Sequence, residues 1–186
     1  MPRIIKNNIL NYSPISLKTE NCINPARIFK INNHPVKSGN ILYICEREIR
    51  AKDNFALQFA LQKSKEFNLS LKIFHPKNIY EHKPKQLFID SQIKQVQKIF
   101  QNSDINFETT DKTPSEIIEN INPAILIIDF NPILKRDYLK NADFKIYEVD
   151  GHNIIPSGFV SNKQEYNAAA LRRKIYYNNS PFLTEF

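Results

Sequence analysis

The stretch AILIIDF, from Ala124 to Phe130, is the most apolar run of the 186-residue chain. Its seven residues are too few for a typical buried helix, and its β-branched side chains favour an extended backbone. An uninterrupted apolar strand is typical of a strand covered on both faces, as at the centre of a parallel sheet. The stretch therefore predicts the central strand of an α/β fold.

Four further apolar runs predict additional strands. They are ILYIC (41–45), LKIFH (71–75), INFETT (105–110) and KIYEVD (145–150). Segments with helical spacing lie between the strands, at 54–67, 86–101, 114–121 and 132–140, and Asp53 is expected to cap the first helix. Strands that alternate with helices form right-handed βαβ units. We therefore predict a Rossmann-like, doubly wound α/β fold with a five-stranded parallel sheet.

One α/β domain with an extension at each end is expected. Residues 1–38 are predicted to form a basic N-terminal arm, because residues 1–40 hold six Lys or Arg and one acid in a chain of net charge +7. Such a segment is typical of a solvated tail, although a basic cluster can also contact nucleic acid. The α/β domain is predicted over residues 39–150, and residues 151–186 follow it as a C-terminal segment.

The composition argues against several classes of protein. No apolar run reaches the roughly 20 residues of a membrane span, and the N-terminus lacks the apolar centre of a secretory signal. Cys22 and Cys45 are the only cysteines and form no CxxC motif, so neither a disulfide framework nor a metal site is predicted. We expect a reduced, cytoplasmic protein that does not contact a membrane.

Ligands of doubly wound sheets bind beyond the carboxyl ends of the strands, near the point where strand order reverses. The candidate residues there are Cys45, Glu46, Arg47, Arg50, Asp129, Phe130, Asn131, His152 and Asn153. The chain has three glycines and none of the Gly-rich nucleotide motifs, so a phosphate cradle of glycine amides is disfavoured. The sequence therefore predicts a ligand site that contains no catalytic residue and no metal ligand.

Several of these residues also have a structural interpretation. Cys45 could be an activated thiol, but a small buried residue at a strand end is the more common meaning. His152 is more often a structural hydrogen-bonding residue than a base. Arg50 could hold an anion, although pairing with Asp53 is the preferred reading, and Asp129 is expected to cap the turn that follows it.

Three segments resemble a known family. REIRAKDNFAL (47–57) is similar to the signature after the first strand of the photolyase–cryptochrome superfamily, and PARIFKINNHPVKSGNILY (25–43) is similar to the entry into that strand in class II members. VDGHNIIPSGFVSNKQEY (149–166), followed by LRRKI and PFLTEF, resembles the segment between the antenna and flavin domains of class II cyclobutane pyrimidine dimer photolyases. The chain departs from that pattern at Phe159, where Trp is usual, and at Arg173, where Pro is usual.

The resemblance implies a light-dependent DNA repair lyase that binds FAD and flips the lesion out of the duplex. In that family the N-terminal α/β domain can hold an antenna chromophore, a deazaflavin in some class II members, whereas FAD and damaged DNA bind a helical C-terminal domain. The chain is expected to be truncated before that domain and so not competent for repair alone. Its partner would be an FAD-binding photolyase domain, in cis or in trans, and damaged DNA would be contacted only through that domain.

A missing domain would leave apolar side chains of the C-terminal segment exposed. The expected patch consists of Ile154, Ile155, Phe159, Tyr166, Ile175, Tyr176, Phe182 and Leu183. Two alternatives remain open. The chain can be a standalone, non-catalytic flavin- or nucleotide-binding or interaction module derived from a photolyase, or it can bind nucleic acid through its N-terminal arm.

Overall fold

The strands and helices alternate along most of the chain. The computed structural model describes residues 23–77, 82–101, 105–161, 163 and 165–183. The strands are β1 (Ile28–Lys30), β2 (Ile41–Ile44), β3 (Leu71–Pro76), β4 (Asn106–Thr110), β5 (Ile125–Asp129) and β6 (Lys145–Val149). The helices are α1 (Phe55–Phe67), α2 (Lys83–Phe100), α3 (Pro114–Ile121), α4 (Ser157–Val160) and α5 (Ala168–Asn178). None of these helices is both long and apolar enough to cross a bilayer.

The strands form one six-stranded mixed sheet in the order β1-β6-β5-β2-β3-β4. All five predicted strands are present, and β2 to β6 are parallel to one another. The chain winds outward from β2 to β4 in one direction and from β5 to β6 in the other, so strand order reverses between β2 and β5. The predicted doubly wound α/β fold is therefore confirmed.

The sheet contains one strand that the sequence did not predict. β1 pairs antiparallel with β6, and Ile28 lies opposite Val149. Three residues between polar segments carry too little periodicity to indicate a strand. β1 lies within the segment 1–38 that was predicted as an arm, and residues 1–22 of that arm lie outside the described residues.

β5 is buried along its whole length, as its apolar sequence predicted. Alternate side chains of β5 enter two different core layers. Ile125 and Ile127 pack in the layer that includes α1, whereas Leu126 and Ile128 pack in the layer that includes α3. Burial on both faces explains why β5 has no polar residue before Asp129.

The helix termini differ from the sequence-based prediction at two places. Asn54, not Asp53, is the N-cap of α1, and its side chain accepts a hydrogen bond from the Leu57 N–H. Asp53 adopts a left-handed conformation with φ of 51°, which an Asp tolerates better than most residues. The helix predicted over 132–140 is also wrong, since only a 3₁₀ turn forms there, at Asp137–Leu139.

Arg27 joins the sheet to the C-terminal segment. Its side chain is almost fully buried. Nη1 donates to the carbonyl oxygens of Asp150 and Asn153 at 3.0 and 2.8 Å, and Nη2 donates to that of Ile154 at 2.8 Å. Three carbonyls of the turn after β6 therefore share one guanidinium, which fixes the direction in which the chain leaves the sheet.

Two aromatic rings cover the same guanidinium. The Arg27 Cζ lies 4.3 Å from the ring centre of Phe55 and 5.5 Å from that of Phe182, distances at which cation–π attraction operates. Phe182 is buried together with Ile155 and Val160 in a small apolar cluster. Through this cluster, the far end of the C-terminal segment packs against the α/β domain.

Substitution of Arg27 by Met should destabilise the protein strongly. The Met side chain retains apolar contact with the two rings but leaves three carbonyls without their donor. A hydrogen bond to a charged group contributes about 1.5–3 kcal/mol, and such contributions are not additive, so we expect the free energy of unfolding to fall by about 3–4 kcal/mol. Urea unfolding measures this change. Lys30→Met at the exposed end of β1 is the control, expected to stay within about 0.5 kcal/mol of wild type; equal losses in both variants would contradict the role of Arg27.

Candidate functional site

The carboxylate of Asp129, at the end of β5, organises the turn that follows β2. Its Oδ2 accepts hydrogen bonds from the backbone N–H groups of Glu46, Arg47 and Glu48 at 2.9, 2.7 and 3.0 Å. Its Oδ1 accepts a hydrogen bond from the Tyr43 hydroxyl at 2.7 Å. Asp129 therefore caps the turn of the neighbouring strand across the switch point. The expectation that Asp129 caps the turn that follows it is therefore wrong, because its two oxygens bind the turn after β2 and the Tyr43 hydroxyl.

Asn54 closes the same turn from the other side. Its Nδ2 donates to the backbone carbonyls of Glu48 and Arg50 at 2.7 and 3.2 Å. The buried Cys45 Sγ lies 3.3 Å from the Glu48 carbonyl oxygen, and burial raises the pKa of its thiol. A raised pKa disfavours the thiolate, so Cys45 has the properties of a small buried side chain and not those of a nucleophile.

His75 is a buried residue at this edge that was not predicted as a site residue. Its Nδ1 lies 2.7 Å from the Cys45 carbonyl oxygen, which can only accept, so Nδ1 carries the proton. Burial lowers the pKa of the ring and keeps it neutral. The Nε2 atom is buried, and no group among the described residues forms a hydrogen bond with it. The sequence signal was a His at the end of an apolar strand, which is too common to indicate a function.

Arg136 pairs with acidic side chains on the other side of Asp129. It forms ion pairs with Glu148 and, at 2.8 Å, with Glu46, and it donates to the Asp129 carbonyl oxygen at 2.6 Å. Burial and the nearby Glu46 raise the pKa of Tyr138 to about 12. Glu46 is thus held within an internal ion-pair network. Arg136 lay within the predicted helix 132–140 and was not named as a site residue, so sequence reasoning missed it.

Glu48 lies at the centre of a second charged group. The side chain is only 4% exposed, and burial raises the pKa of its carboxyl group. Glu48 forms an ion pair with Arg50, and Nδ1 of the more exposed His152 lies 3.9 Å from Glu48 Oε1. The predicted pairing of Arg50 with Asp53 is therefore wrong. A Cβ added to Gly151 would lie 3.4 Å from the Glu48 carboxyl carbon, which is ordinary van der Waals contact.

Asp150 organises the turn after β6 in the way that Asp129 organises the turn after β2. It is fully buried and accepts hydrogen bonds from the backbone N–H groups of Asn153 and Ser157 at 3.1 and 2.9 Å. The Asn153 Nδ2 lies 3.0 Å from both carboxylate oxygens. Asn153 is therefore a turn residue, and its side-chain donor is already engaged.

Phe130 and Asn131 occupy the turn after β5. The Phe130 ring stacks on Phe29 of β1 with a centroid distance of 5.9 Å, and its carbonyl oxygen accepts a hydrogen bond from Arg47 Nη1 at 3.1 Å. The Asn131 Oδ1 accepts from the backbone N–H groups of Ile133 and Leu134 at 3.1 and 3.3 Å. Both residues thus stabilise the local backbone.

The structure brings all nine predicted site residues to one edge of the sheet, in the turns after β2, β5 and β6. Of the nine residues, Arg50 and His152 are the exposed ones, and their side chains are 47% and 58% exposed. These two side chains can donate to an anionic or carbonyl-rich group that approaches the edge. A cavity of about 140 Å³ lies elsewhere, between β4 and α3, and contains none of the nine residues.

The C-terminal segment carries the apolar patch that the sequence predicted, with two exceptions. Six of its eight residues are exposed, namely Ile154, Phe159, Tyr166, Ile175, Tyr176 and Leu183. Ile155 and Phe182 are instead buried against the α/β domain. Their burial follows from the Arg27 contacts, which draw this part of the segment onto the domain.

Comparison with known proteins supports a photolyase-like relationship. The chain is 28% identical over 164 residues to the deoxyribodipyrimidine photo-lyase of Arabidopsis thaliana, a match that covers 80% of this chain and 33% of the plant protein. It is 37% identical over 68 residues to the deoxyribodipyrimidine photo-lyase of Potorous tridactylus, covering 33% of this chain and 13% of that protein. The chain thus spans about a third or less of the length of these curated relatives. No family model matches the sequence.

Two solved structures are similar to part of the chain. A universal stress protein from Archaeoglobus fulgidus is 11% identical, with a TM-score of 0.42 over 61% of this chain and 94% of that one. A putative universal stress protein from Pseudomonas aeruginosa UCBPP-PA14 is 10% identical, with a TM-score of 0.43 over 63% of this chain and 49% of that one.

Substitution of Asp129 by Ala tests the central cap. It leaves three backbone N–H groups without their acceptor and leaves the Tyr43 hydroxyl only Asn54 Oδ1, at 3.4 Å. An unsatisfied buried donor costs about 1–3 kcal/mol. We expect the free energy of unfolding in urea to fall by about 3–5 kcal/mol. Glu108→Ala on the exposed face of edge strand β4 is the matched acid-to-alanine control, with an expected change of about 0.5 kcal/mol or less. A loss for Asp129→Ala as small as that of the control would rule out the cap as a major contribution.

Glu48 predicts a specific pH dependence of stability. Because burial raises its pKa from the ordinary value of 4.5, the folded state binds this proton more tightly than the unfolded state does. The contribution of Glu48 to the free energy of unfolding therefore falls as the pH rises above 4.5 and through its raised pKa. The cost of holding the charged carboxylate in a buried place persists at neutral pH. We expect Glu48→Gln to match wild type below pH 4.5 and to gain stability relative to wild type as the pH rises above it.

Glu116 provides a control of opposite sign. Hydrogen bonds from the Thr113 backbone N–H and hydroxyl lower the pKa of its carboxyl group, so its contribution is present above the ordinary pKa and is lost in acid. Glu116→Gln should therefore lose stability relative to wild type as the pH rises. Urea unfolding at a series of pH values measures both variants, and parallel pH profiles for the two would contradict the assignment.

Proposed function

We propose that this chain is the α/β antenna-type domain of a class II-like deoxyribodipyrimidine photolyase, a protein that repairs pyrimidine dimers in DNA with light. The observation that carries the proposal is the similarity to the Arabidopsis thaliana enzyme, which extends over 80% of the chain. In this proposal the chain works in the cytoplasm with an FAD-binding helical domain, supplied in cis or in trans. That domain binds FAD and damaged DNA, and this chain does not repair DNA alone.

The strand-end geometry supports a binding role over a catalytic one. Asp129 and Asn153 use their polar side-chain atoms within the turns, and the Cys45 thiol is buried with a raised pKa. Burial also raises the pKa of the Tyr43 phenol, which keeps it protonated and donating to Asp129. Groups in these states stabilise the turns and are poorly suited to proton transfer or nucleophilic attack near neutral pH.

The same edge of the sheet fits an antenna chromophore of the deazaflavin type. Such a molecule presents ring carbonyls and acidic groups, and the partly exposed Arg50 guanidinium and His152 ring are donors for them. Arg50 also donates to the Gly151 carbonyl oxygen at 3.2 Å, which places its guanidinium beside the turn that carries His152. The chromophore would supply light absorption, and the chain's own residues would hold it at the switch point of the sheet.

A reconstituted repair assay tests the proposal. An oligonucleotide with one cyclobutane thymine dimer is irradiated with blue light in the presence of the chain, of the FAD-binding domain from the same organism's photolyase, or of both. We expect no repair by the chain alone and faster repair when both are present than with the FAD-binding domain alone. When the chain is loaded with a deazaflavin, the rate should rise most at the wavelengths that the deazaflavin absorbs.

Dark incubation and a flavin-free preparation serve as controls, because the reaction requires both light and FAD. Repair by the chain alone would contradict its assignment as a non-catalytic domain. An unchanged rate on addition of the chain, at all wavelengths, would refute the proposed function. Faster repair without a change in the wavelength dependence would retain the domain assignment and reject the antenna.

A further inference from the structure

Two lysines are buried where the end of α1 packs over the start of β6. Lys63 of α1 and Lys145, the first residue of β6, are only 5% and 7% exposed. Lysine is almost never buried to this extent unless it is paired, because its ammonium group loses its hydration. Both positions therefore call for a negative partner.

Lys63 has a negative partner, whereas Lys145 does not. The Lys63 Nζ lies 2.6 Å from the Glu66 Oε2. The Lys145 Nζ donates to the backbone carbonyl oxygen of Asn32 at 3.1 Å, and no carboxylate pairs with it among the residues that the structure describes. A neutral carbonyl satisfies one N–H group of the ammonium, but it does not balance the charge.

A third lysine joins these two from β1. Lys30 is opposite Tyr147 in the pairing of β1 with β6, and Lys145 lies two residues before Tyr147. All three side chains therefore lie on the face of the sheet that α1 covers. The Nζ atoms of Lys63 and Lys145 each lie 5.8 Å from the centre of the Tyr147 ring. Burial and the positive charges of Lys30 and Lys63 lower the pKa of Lys145. We name Lys30, Lys63 and Lys145 the lysine cluster.

The lysine cluster is better suited to a small ion than to a polymer. Lys30 is exposed, and Glu66, which contacts the Lys63 ammonium, has a side chain that is 43% exposed. These two side chains mark the border from which a solute approaches. Lys63 and Lys145 are almost fully covered, so the sugars on either side of a nucleic-acid phosphate would not fit beside them. A compact oxyanion has several acceptor oxygens and can bind more than one ammonium group.

We propose that the lysine cluster binds a small phosphate-type oxyanion at the amino edge of the sheet. The bound anion supplies the negative partner that Lys145 lacks and offsets the repulsion among the three ammonium groups. β6 begins at Lys145 and ends before the turn that Asp150 caps. The oxyanion site therefore lies at the edge of the sheet opposite to the nine residues of the candidate ligand site, and the two sites can be tested separately.

Thermal unfolding in inorganic phosphate tests this proposal. The chain is titrated with sodium phosphate and, in parallel, with sodium chloride at the same ionic strength and pH. We expect the melting midpoint to be higher in phosphate than in chloride, because a ligand that binds the folded state and not the unfolded state stabilises the protein. Equal midpoints in the two salts would show that both act by charge screening and would overturn the proposal.

Lys145→Met and Lys65→Met form a matched pair, because Lys65 is exposed in the last turn of α1 and lies outside the cluster. Lys145→Met should weaken phosphate binding, measured by calorimetry, by about tenfold or more, whereas Lys65→Met should leave it within about twofold of wild type. In chloride, Lys145→Met should not lower the melting midpoint by more than about 2 °C, since it removes a buried charge that lacks a carboxylate partner. A large loss of stability with unchanged phosphate affinity would assign Lys145 a structural role and overturn the proposal.

Lys30→Met keeps the test decisive if Lys145→Met does not fold. Lys30 is exposed, so its replacement should preserve folding. It should weaken phosphate binding by about threefold or more, because one of the three ammonium groups is lost. Unchanged affinity in Lys30→Met, or an equal loss in Lys65→Met, would contradict the assignment to this cluster.

A competition experiment identifies the source of the phosphate group. A single-stranded oligonucleotide is added to the chain in saturating inorganic phosphate, at an equal concentration of phosphate groups. We expect the oligonucleotide not to displace the inorganic ion. Displacement that Lys145→Met abolishes would assign the cluster to a nucleic-acid backbone and would overturn the choice of a small oxyanion.

Discussion

The carboxylate of Asp129 is the constraint on which the carboxyl edge of the sheet depends. One oxygen caps three successive N–H groups of the turn after β2, and the other is held by Tyr43. These bonds join the two strands between which the strand order reverses, β2 and β5. Without this acceptor the turn would expose three donors in a buried place, which folded proteins avoid. A single acid therefore fixes the place where doubly wound proteins bind ligands.

A second carboxylate, at the end of β6, also caps a turn at this edge of the sheet. Asp150 caps the turn after β6, and the Arg27 guanidinium binds carbonyls of that turn. The buried negative charges are thus balanced by N–H groups and by Arg27 and Arg136, not by solvent. Because these groups neutralise one another, Arg50 and His152 at the rim are the residues best placed to meet an incoming ligand.

Strong local patterns allowed the fold to be predicted, whereas the contacts within the site depended on long-range geometry. β5 and helix α3 each carry a clear signal within a few residues, and the structure confirms both. β1 is too short to carry one. The nine site residues were brought together because strand ends meet at one edge, but Glu46 pairs with Arg136, 90 residues away, and Arg50 donates to the backbone carbonyl of Gly151. Sequence spacing alone does not encode such pairings.

The orientation of α5 is consistent with the buried residues that lie before and after it in the sequence, Ile155 and Phe182. Phe182 is buried over Arg27 and Ile155 beside it, so the ends of the C-terminal segment satisfy their apolar surface on the α/β domain. α5 lies between these ends and could pack either face inward. The inward position of Lys174 gives an ion pair with Glu165, and Leu171 and Ile175 beside it stay 37% and 41% exposed. A partly exposed ion pair contributes little, so the covered parts of these two aliphatic side chains contribute at least as much as the ion pair to the packing of α5.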